Sequence, residues 1–154
     1  MAKYFSNELQ FLGASPPTLP GDEALGGRER VYRATIPLDA PKLSPSQSGA
    51  GVTTADTVSL GKIPAGMRFV RGFLTSSVSL GTSTIAIGNA TATGKYRAAA
   101  TFTAVDTPTP FGTAAAMAAV AATAEEEVLL TVAVANLPTT AGAKLVVDLE
   151  FAGP

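Results

Sequence analysis

Carboxylates are the side chains in this sequence that could do chemistry, because its 154 residues include no histidine and no cysteine. A Ser-His-Asp triad, a Cys-His pair and a zinc site built on histidine or cysteine are therefore excluded. The longest run of acids is Glu125-Glu126-Glu127. Successive residues of a strand point to opposite faces, so these three carboxylates do not converge on one substrate. We expect no enzyme activity, and an enzyme acting through carboxylates is the weaker alternative.

Metal binding is the other chemistry open to these acids. Calcium could use the oxygens of Glu125 to Glu127, or those of Asp22 and Glu23. The sequence lacks the D-x-[DN]-x-[DN]-G spacing of a calcium loop, and its glycines do not follow the order of a phosphate-binding loop. We expect no metal and no cofactor.

Basic side chains are concentrated in the middle of the chain. Between Asp56 and Asp106 there is no acid, but there are five basic residues: Lys62, Arg68, Arg71, Lys95 and Arg97. Aromatic residues interleave with them, which is typical of a stacking platform for single-stranded nucleic acid; they are Phe69, Phe73, Tyr96 and Phe102. The last third of the chain is acidic and the net charge is −1, so we favour charge complementarity within the molecule or across a subunit interface, with no nucleic-acid partner.

The elements that must position these side chains are strands, separated by turn residues, from residue 28 to residue 154. Strand patterns occur in RVYRATIPL, DTVSLGKI, MRFVRGFLTSS, STIAIG, GKYRAAATFTA, EEEVLLTVAVANL and AKLVVDLEF. A long Pro-, Ser- and Gly-rich loop is expected from Ala40 to Thr54. The pattern predicts an all-β fold, an antiparallel β-sandwich of about eight strands, jelly-roll-like rather than immunoglobulin-like.

Period-two alternation predicts which residues share a face. Val128, Leu130, Val132 and Val134 form one set, Leu145, Val147, Leu149 and Phe151 form a second, and Tyr96, Ala98, Ala100 and Phe102 form a third. The segment NLPTTAGA is expected to join the last two strands as a hairpin. Arg68 and Arg71 lie three apart on one strand, so they are predicted to point to opposite faces, with Arg68 the better candidate for contact with a partner.

The alanine-rich run from Ala114 to Ala122 is ambiguous. Alanine favours helix, but the flanking segments have period two and three glutamates would follow at the negative end of the helix dipole. We therefore predict a strand of small residues, with a short helix as the alternative. The run is far shorter than the ~20 residues that span a bilayer, and no signal-peptide pattern is recognisable, so we expect a soluble protein made in the cytoplasm, without a membrane partner.

Residues 1–27 are predicted to form an extended N-terminal arm, since Pro16, Pro17, Pro20, Gly26 and Gly27 oppose regular structure. The arm is expected to be mobile in the free protein and to become ordered on a partner. Its apolar anchors would be Tyr4, Phe5, Leu9, Phe11 and Leu12. A terminus with no binding task is the alternative.

The order of ATIPL, DTVSLGKIPAGMRFVRGFLTSSVSLGTSTIAIG, TGKYRAAATFTA and TAEEEVLLTVAVANLPTTAGAKLVVDLEFAG resembles small structural proteins of tailed bacteriophages, most of all head-decoration (cement) proteins. The resemblance implies a β-rich, often trimeric virion protein on the outside of an icosahedral head, with the major capsid protein as its partner.

On this basis we predict a non-enzymatic capsid protein that stabilises the head. The predicted capsid-binding residues are Tyr4, Phe5, Phe11, Arg68 and Arg71. A small-residue core and exposed apolar stretches also favour a homo-oligomer, and the number three comes from the resemblance. A carbohydrate-binding or host-adhesion module of the virion is the alternative, and a tail or neck location stays open.

Overall fold

The computed structural model describes residues 3–5, 29–44, 47–49 and 51–153. These residues form strands and one short helix: β1 (Lys3–Phe5), β2 (Glu29–Pro37), β3 (Lys42–Ser44), β4 (Gln47–Ser48), β5 (Thr57–Ile63), β6 (Arg68–Ser76), β7 (Thr84–Gly88), β8 (Arg97–Thr101), β9 (Thr109–Phe111), α1 (Ala114–Met117), β10 (Glu126–Ala133) and β11 (Lys144–Ala152).

The strands form two sheets. One has the order β4-β3-β1-β5-β10-β7-β8, and the other has the order β2-β11-β6-β9. Without the short strands β1, β3 and β4, eight strands remain, which can be numbered 1 to 8 in chain order from β2 to β11. The strand orders of the two sheets are then 2-7-4-5 and 1-8-3-6. This is the strand order of a jelly roll, the double-sheet arrangement built from two Greek keys. The predicted all-β sandwich of about eight strands is confirmed.

Three short strands extend the first sheet beyond β5. β1 runs parallel to β5, with Tyr4 opposite Val58 and Phe5 opposite Ser59, and its other neighbour is β3. The region predicted as one long loop, Ala40 to Thr54, contains β3 and β4. Residues 6–28 lie outside the described part of the chain, so the predicted arm and its ordering on a partner stay predictions.

The core lies between the two sheets, and alternation along the strands supplies it. On β11, Leu145, Val147, Leu149 and Phe151 are buried, as predicted. Facing them across the sandwich are buried aliphatic residues of the other sheet, including Val58, Ile85, Ile87, Leu130 and Val132. Each fully buried side chain of this size is worth about 1.5–3 kcal/mol relative to exposure. Val134 was predicted to belong to this face but is 75% exposed, because β10 ends at Ala133 and Val134 adopts a left-handed conformation with φ 70°.

The connection between β10 and β11 does not form the predicted hairpin. β10 pairs with β5 and β7, whereas β11 pairs with β2 and β6, so the connection crosses from one sheet to the other. Leu137 anchors it, since its side chain is buried and its amide donates to the carbonyl of Val52 at 3.0 Å. The turn chemistry was recognised correctly, but local sequence does not reveal that both strands pair with more distant partners.

The alanine-rich run forms the helix α1 and not a strand, so the strand prediction is wrong and the helical alternative is confirmed. Thr113 caps the helix by accepting a hydrogen bond from the amide of Ala116 at 3.2 Å. Alanine has the highest helix propensity, and a threonine N-cap satisfies one of the free amides of the first turn. After Met117 the chain leaves the helix and continues irregularly to β10. We call residues Ala118–Glu125 the strap.

Candidate interaction surfaces

The three consecutive glutamates are separated by the pleat of β10 and by their partners. Glu125 accepts a hydrogen bond from Lys62 at 2.6 Å, and Glu127 accepts one from the hydroxyl of Ser59 at 2.6 Å. Glu126 points the other way, toward Lys95 and Tyr96. Within the described ranges, no group of three or more acidic side chains is placed to hold a metal ion. The triplet is therefore three separate surface contacts and not one site.

Glu126 is the centre of a partly buried polar network. Lys95 Nζ donates to its Oε2 at 2.6 Å, and the hydroxyl of buried Tyr96 donates to its Oε1. Burial favours a higher pKa for Glu126, but the hydrogen bonds from Lys95 and Tyr96 and the charge of Lys95 outweigh it, so its pKa lies below the ordinary 4.5. Burial, followed by the bond to the carboxylate, raises the pKa of Tyr96. The network therefore holds a charged glutamate and a neutral tyrosine at neutral pH.

Cross-strand ion pairs lie on the outer face of the β2-β11-β6-β9 sheet. Arg33 of β2 binds Asp148 of β11 through two bonds, at 2.7 Å and 2.8 Å. Arg71 of β6 binds Glu150 of β11 at 2.5 Å, and its guanidinium lies 5.6 Å from the ring centre of Phe73. The predicted complementarity between the basic middle and the acidic last third is thus realised within the molecule.

Arg68 and Arg71 lie on the same face, so the prediction that they point to opposite faces is wrong. The register between β6 and β11 shifts: Glu150 is opposite Arg71, but the next residue, Phe151, is opposite Phe69. Val70 is therefore the extra residue of a β-bulge, which restores Phe69 to the core and leaves both arginines exposed. The two differ in their partners, because Arg68 makes no ion pair with any described residue.

A cavity of about 370 Å³ opens beside Arg68. It is lined by the apolar side chains of Ile63, Met67 and Phe69 and by the network of Lys95, Tyr96 and Glu126. Residues Ala119 to Glu125 of the strap also line it. Charged and apolar groups therefore meet in one concave site at the end of the sandwich where β6 and β10 begin.

The strap is fixed at its middle and at its end. The amide of Ala122 donates to the carbonyl of Met67 at 2.8 Å, and the amide of Gly66 donates to the carbonyl of Ala122 at 2.7 Å. Glu125, at the end, is held by Lys62. Two large apolar side chains nevertheless face solvent: Met117, just before the strap, is 51% exposed, and Val120, which lines the cavity, is 86% exposed. This is an apolar rim next to a cation, the composition of a contact surface.

The edge strand β8 is a second apolar surface. Ala98, Ala99 and Ala100 are all exposed, whereas Tyr96 and Phe102, which were predicted to share a face with Ala98 and Ala100, are buried. The ladder between β7 and β8 shifts register, and Arg97 donates to the carbonyl of Ile85 there. Burial lowers the pKa of Arg97.

The residues predicted to bind a capsid are not brought together in one place. Tyr4 and Phe5 lie in β1, beside β5, while Arg68 and Arg71 lie on the other sheet. Phe11 is outside the described residues. The stacking platform considered for nucleic acid does not exist on the surface, because Phe69, Tyr96 and Phe102 are buried.

Sequence reasoning did not identify Val120 and Lys95 as members of one site. A signal was present, since Met117 and Val120 are the large apolar residues in a run of alanines that satisfies neither strand nor long-helix periodicity.

Comparison with solved structures places the fold among chains of bacteriophage capsids. A chain in the capsid of Ralstonia phage GP4 is 18% identical, with a TM-score of 0.66 and coverage of 99% of both chains. A chain of the cyanophage Pam1 capsid asymmetric unit is 22% identical, with a TM-score of 0.62 over 89% of this chain and 92% of that chain. A chain in the acid-stable capsid of Helicobacter pylori bacteriophage KHP30 is 16% identical, with a TM-score of 0.55 over 82% and 88%.

These likenesses confirm, at the level of fold, the expected resemblance to phage structural proteins. No protein-family model matches the sequence, and no curated protein matches it. In the described part of the chain, no helix has the length and apolar character needed to cross a membrane.

Proposed function

We propose that this protein is a non-enzymatic decoration (cement) protein that binds the outer surface of an assembled phage head and stabilises it, with the major capsid protein as its partner. The observation that carries the proposal is the fold likeness to chains of phage capsids, which for the Ralstonia phage GP4 capsid extends over 99% of this chain. A jelly roll alone serves many functions, so the nature of these neighbours, and not the fold class, supports the capsid role.

The distribution of charged groups agrees with a structural role. The acids nearest the cavity, Glu125 and Glu126, are neutralised by lysines, and the network at Tyr96 favours fixed protonation states at neutral pH. A general acid or base would need a pKa near the operating pH. These carboxylates are therefore suited to holding strands together.

We also propose that the protein acts as a homo-oligomer, with a trimer as the expected state. Ala98 to Ala100 on the edge strand β8 leave small apolar side chains in water. Contacts between subunits would remove them from solvent. Light scattering on the purified protein tests this state, and a monomer at high concentration combined with single copies on the particle would exclude it.

The test of the cement role compares heads with and without this protein. A ligand that binds only the assembled lattice stabilises it by mass action, so heads that lack the protein should assemble but release their genome at a lower temperature. Adding the purified protein back should restore the release temperature. Equal release temperatures at full occupancy would exclude the cement role, and finding the chain in the tail by electron cryomicroscopy would exclude the location on the head.

The alternative, a carbohydrate-binding or adhesion module, has no observation in its favour. Sugar sites present exposed aromatic rings, whereas the large apolar side chains exposed on the described surface are valines and one methionine. A glycan-array screen would detect this function if it were present.

A further inference from the structure

We propose that the cavity between Arg68 and the strap is the docking site for an extended segment of the lattice protein that presents a carboxylate beside small apolar side chains. This inference rests on the proposed cement function and assigns it a contact site. It differs from the site predicted from sequence, because it excludes Arg71 and adds Val120 and Lys95.

The charge balance of the cavity selects an acidic partner. Lys62 and Lys95 are each neutralised by a glutamate at 2.6 Å. Arg68 is exposed and makes no ion pair within the described part of the chain. The site therefore keeps one positive charge without an ion-pair partner among the described residues, and a guanidinium binds a carboxylate through two parallel hydrogen bonds.

The strap supplies the apolar and backbone parts of the site. Val120, which lines the cavity, exposes a large side chain between alanines that allow a second backbone to approach closely. Between Val120 and Ala124, the amide of Ala122 is the one that donates to a carbonyl of another described residue. Its neighbours are free to donate to an extended peptide, as in other modes of strand-like peptide recognition.

A second copy of this chain is a poorer occupant than a different protein. Of the carboxylates that a copy would offer from the same sheet, Asp148 and Glu150 are already bound to Arg33 and Arg71, which leaves Glu29 at the start of β2. Glu125 and Glu126, at the cavity itself, are likewise engaged. For each new ion pair that these engaged carboxylates formed with Arg68, one existing pair would break and leave its arginine or lysine without that partner.

The first experiment identifies the occupant by photo-crosslinking. A benzophenone amino acid is placed at Val120 in one variant and, as the control, at Val134, which is 75% exposed at the opposite end of β10. Both variants are bound to heads that lack the protein and are irradiated, and the cross-linked peptides are identified by mass spectrometry. We expect the Val120 probe to capture a segment of the major capsid protein that contains Asp or Glu, and the Val134 probe not to capture it.

Capture of residues 6–28 of this chain, of a second copy, or of a capsid segment without an acid would overturn the proposal. So would the absence of any product at Val120.

The second experiment separates the site from the function. Arg68→Glu is compared with Lys144→Glu, which makes the same charge change on β11 at the opposite end of the sheet, and the affinity of each for protein-free heads is measured by titration. Unfolding temperatures establish that both variants are folded. We expect Arg68→Glu to weaken binding at least tenfold, because an ion pair becomes a like-charge contact, and Lys144→Glu to change it less than threefold.

If the wild-type protein binds heads and Arg68→Glu binds equally well, the site is wrong and the cement function stands. If the wild-type protein does not bind heads at all, the cement function fails.

Discussion

Replacing Glu126 by glutamine tests whether the Lys95-Tyr96-Glu126 network holds the fold together. The carboxylate accepts hydrogen bonds from Lys95 at 2.6 Å and from the hydroxyl of Tyr96. A hydrogen bond to a charged group contributes about 1.5–3 kcal/mol. Glutamine keeps one acceptor oxygen, and Lys95 can still reach water, so the loss should correspond to one such bond. We expect the free energy of unfolding to fall by about 2 kcal/mol, which lowers Tm by about 4–8 °C for a domain of this size.

The adjacent residue provides a matched control. Glu125→Gln makes the same chemical change one position away, but the Glu125 side chain is 59% exposed and its partner Lys62 is 50% exposed, whereas that of Glu126 is 19% exposed. Exposed ion pairs contribute little because water screens them. The control should therefore change the free energy of unfolding by at most about 0.5 kcal/mol. Thermal unfolding at pH 7, followed by circular dichroism, measures both variants.

The pH dependence adds a second readout for Glu126. The folded-state pKa of Glu126 lies below the ordinary 4.5. Its contribution to the free energy of unfolding is therefore fully present above the unfolded-state pKa, and it is lost as the pH falls through the lower folded-state value. The free energies of unfolding of the wild-type protein and of Glu126→Gln should therefore show their full difference at pH 7 and become equal as the pH falls below 4.5. Equal shifts for Glu125→Gln and Glu126→Gln, or a difference independent of pH, would refute the assignment of a structural charge to Glu126.

Three further substitutions test the backbone and packing. Gly88→Ala should destabilise the protein by about 2 kcal/mol or more, since its Cβ would lie 2.0 Å from the carbonyl oxygen of Ala92. The control Gly81→Ala, at φ 63° with open space around it, should cost about 1 kcal/mol. Equal effects of the two substitutions in denaturant unfolding would contradict the steric argument. Val134→Asn should raise Tm, because asparagine tolerates the left-handed conformation that strains an exposed valine, and a lower Tm would show that Val134 is not strained. Thr131→Val should stabilise by about 1 kcal/mol, because the buried hydroxyl of Thr131 has no hydrogen-bond partner in the described structure; a loss of stability would indicate a bound water or another partner there.

The ion pairs on the sheet explain why composition alone was a poor guide to the binding surface. The acid-free middle of the chain suggested a positive docking face, but Arg71 and Lys62 are neutralised by Glu150 and Glu125 from the last third. Interleaving of early and late strands is inherent in the jelly roll, so residues far apart in sequence become cross-strand neighbours. Arg68, which makes no ion pair with a described residue, and the exposed side chain of Val120 on the strap stay available to a partner.

The fold class was predictable because its signal is local. A residue buried on one face of a strand is followed two positions later by another, and β11 follows this rule from Leu145 to Phe151. The exclusion of triads and of zinc sites built on histidine or cysteine was equally secure, since it depends only on which side chains the chain contains. Turn residues also predicted where strands end. This held for the segment between β10 and β11, although these two strands do not pair with each other as predicted.

The candidate site was decided by tertiary structure, because it depends on register and on partners distant in the chain. The bulge at Val70 moves Arg68 to the same face as Arg71, and it forms because Phe69 and Phe151 gain more by entering the core than the ladder loses by one unpaired residue. Tertiary contacts also determine the conformation of the alanine-rich run. A capped turn of helix, followed by two hydrogen bonds between Ala122 and the turn at Gly66 and Met67, forms there in place of a strand. Periodicity predicts which side chains are buried in the core. The free energy of the whole sandwich determines which groups stay exposed, and the cavity beside Arg68 is lined by groups of this second kind.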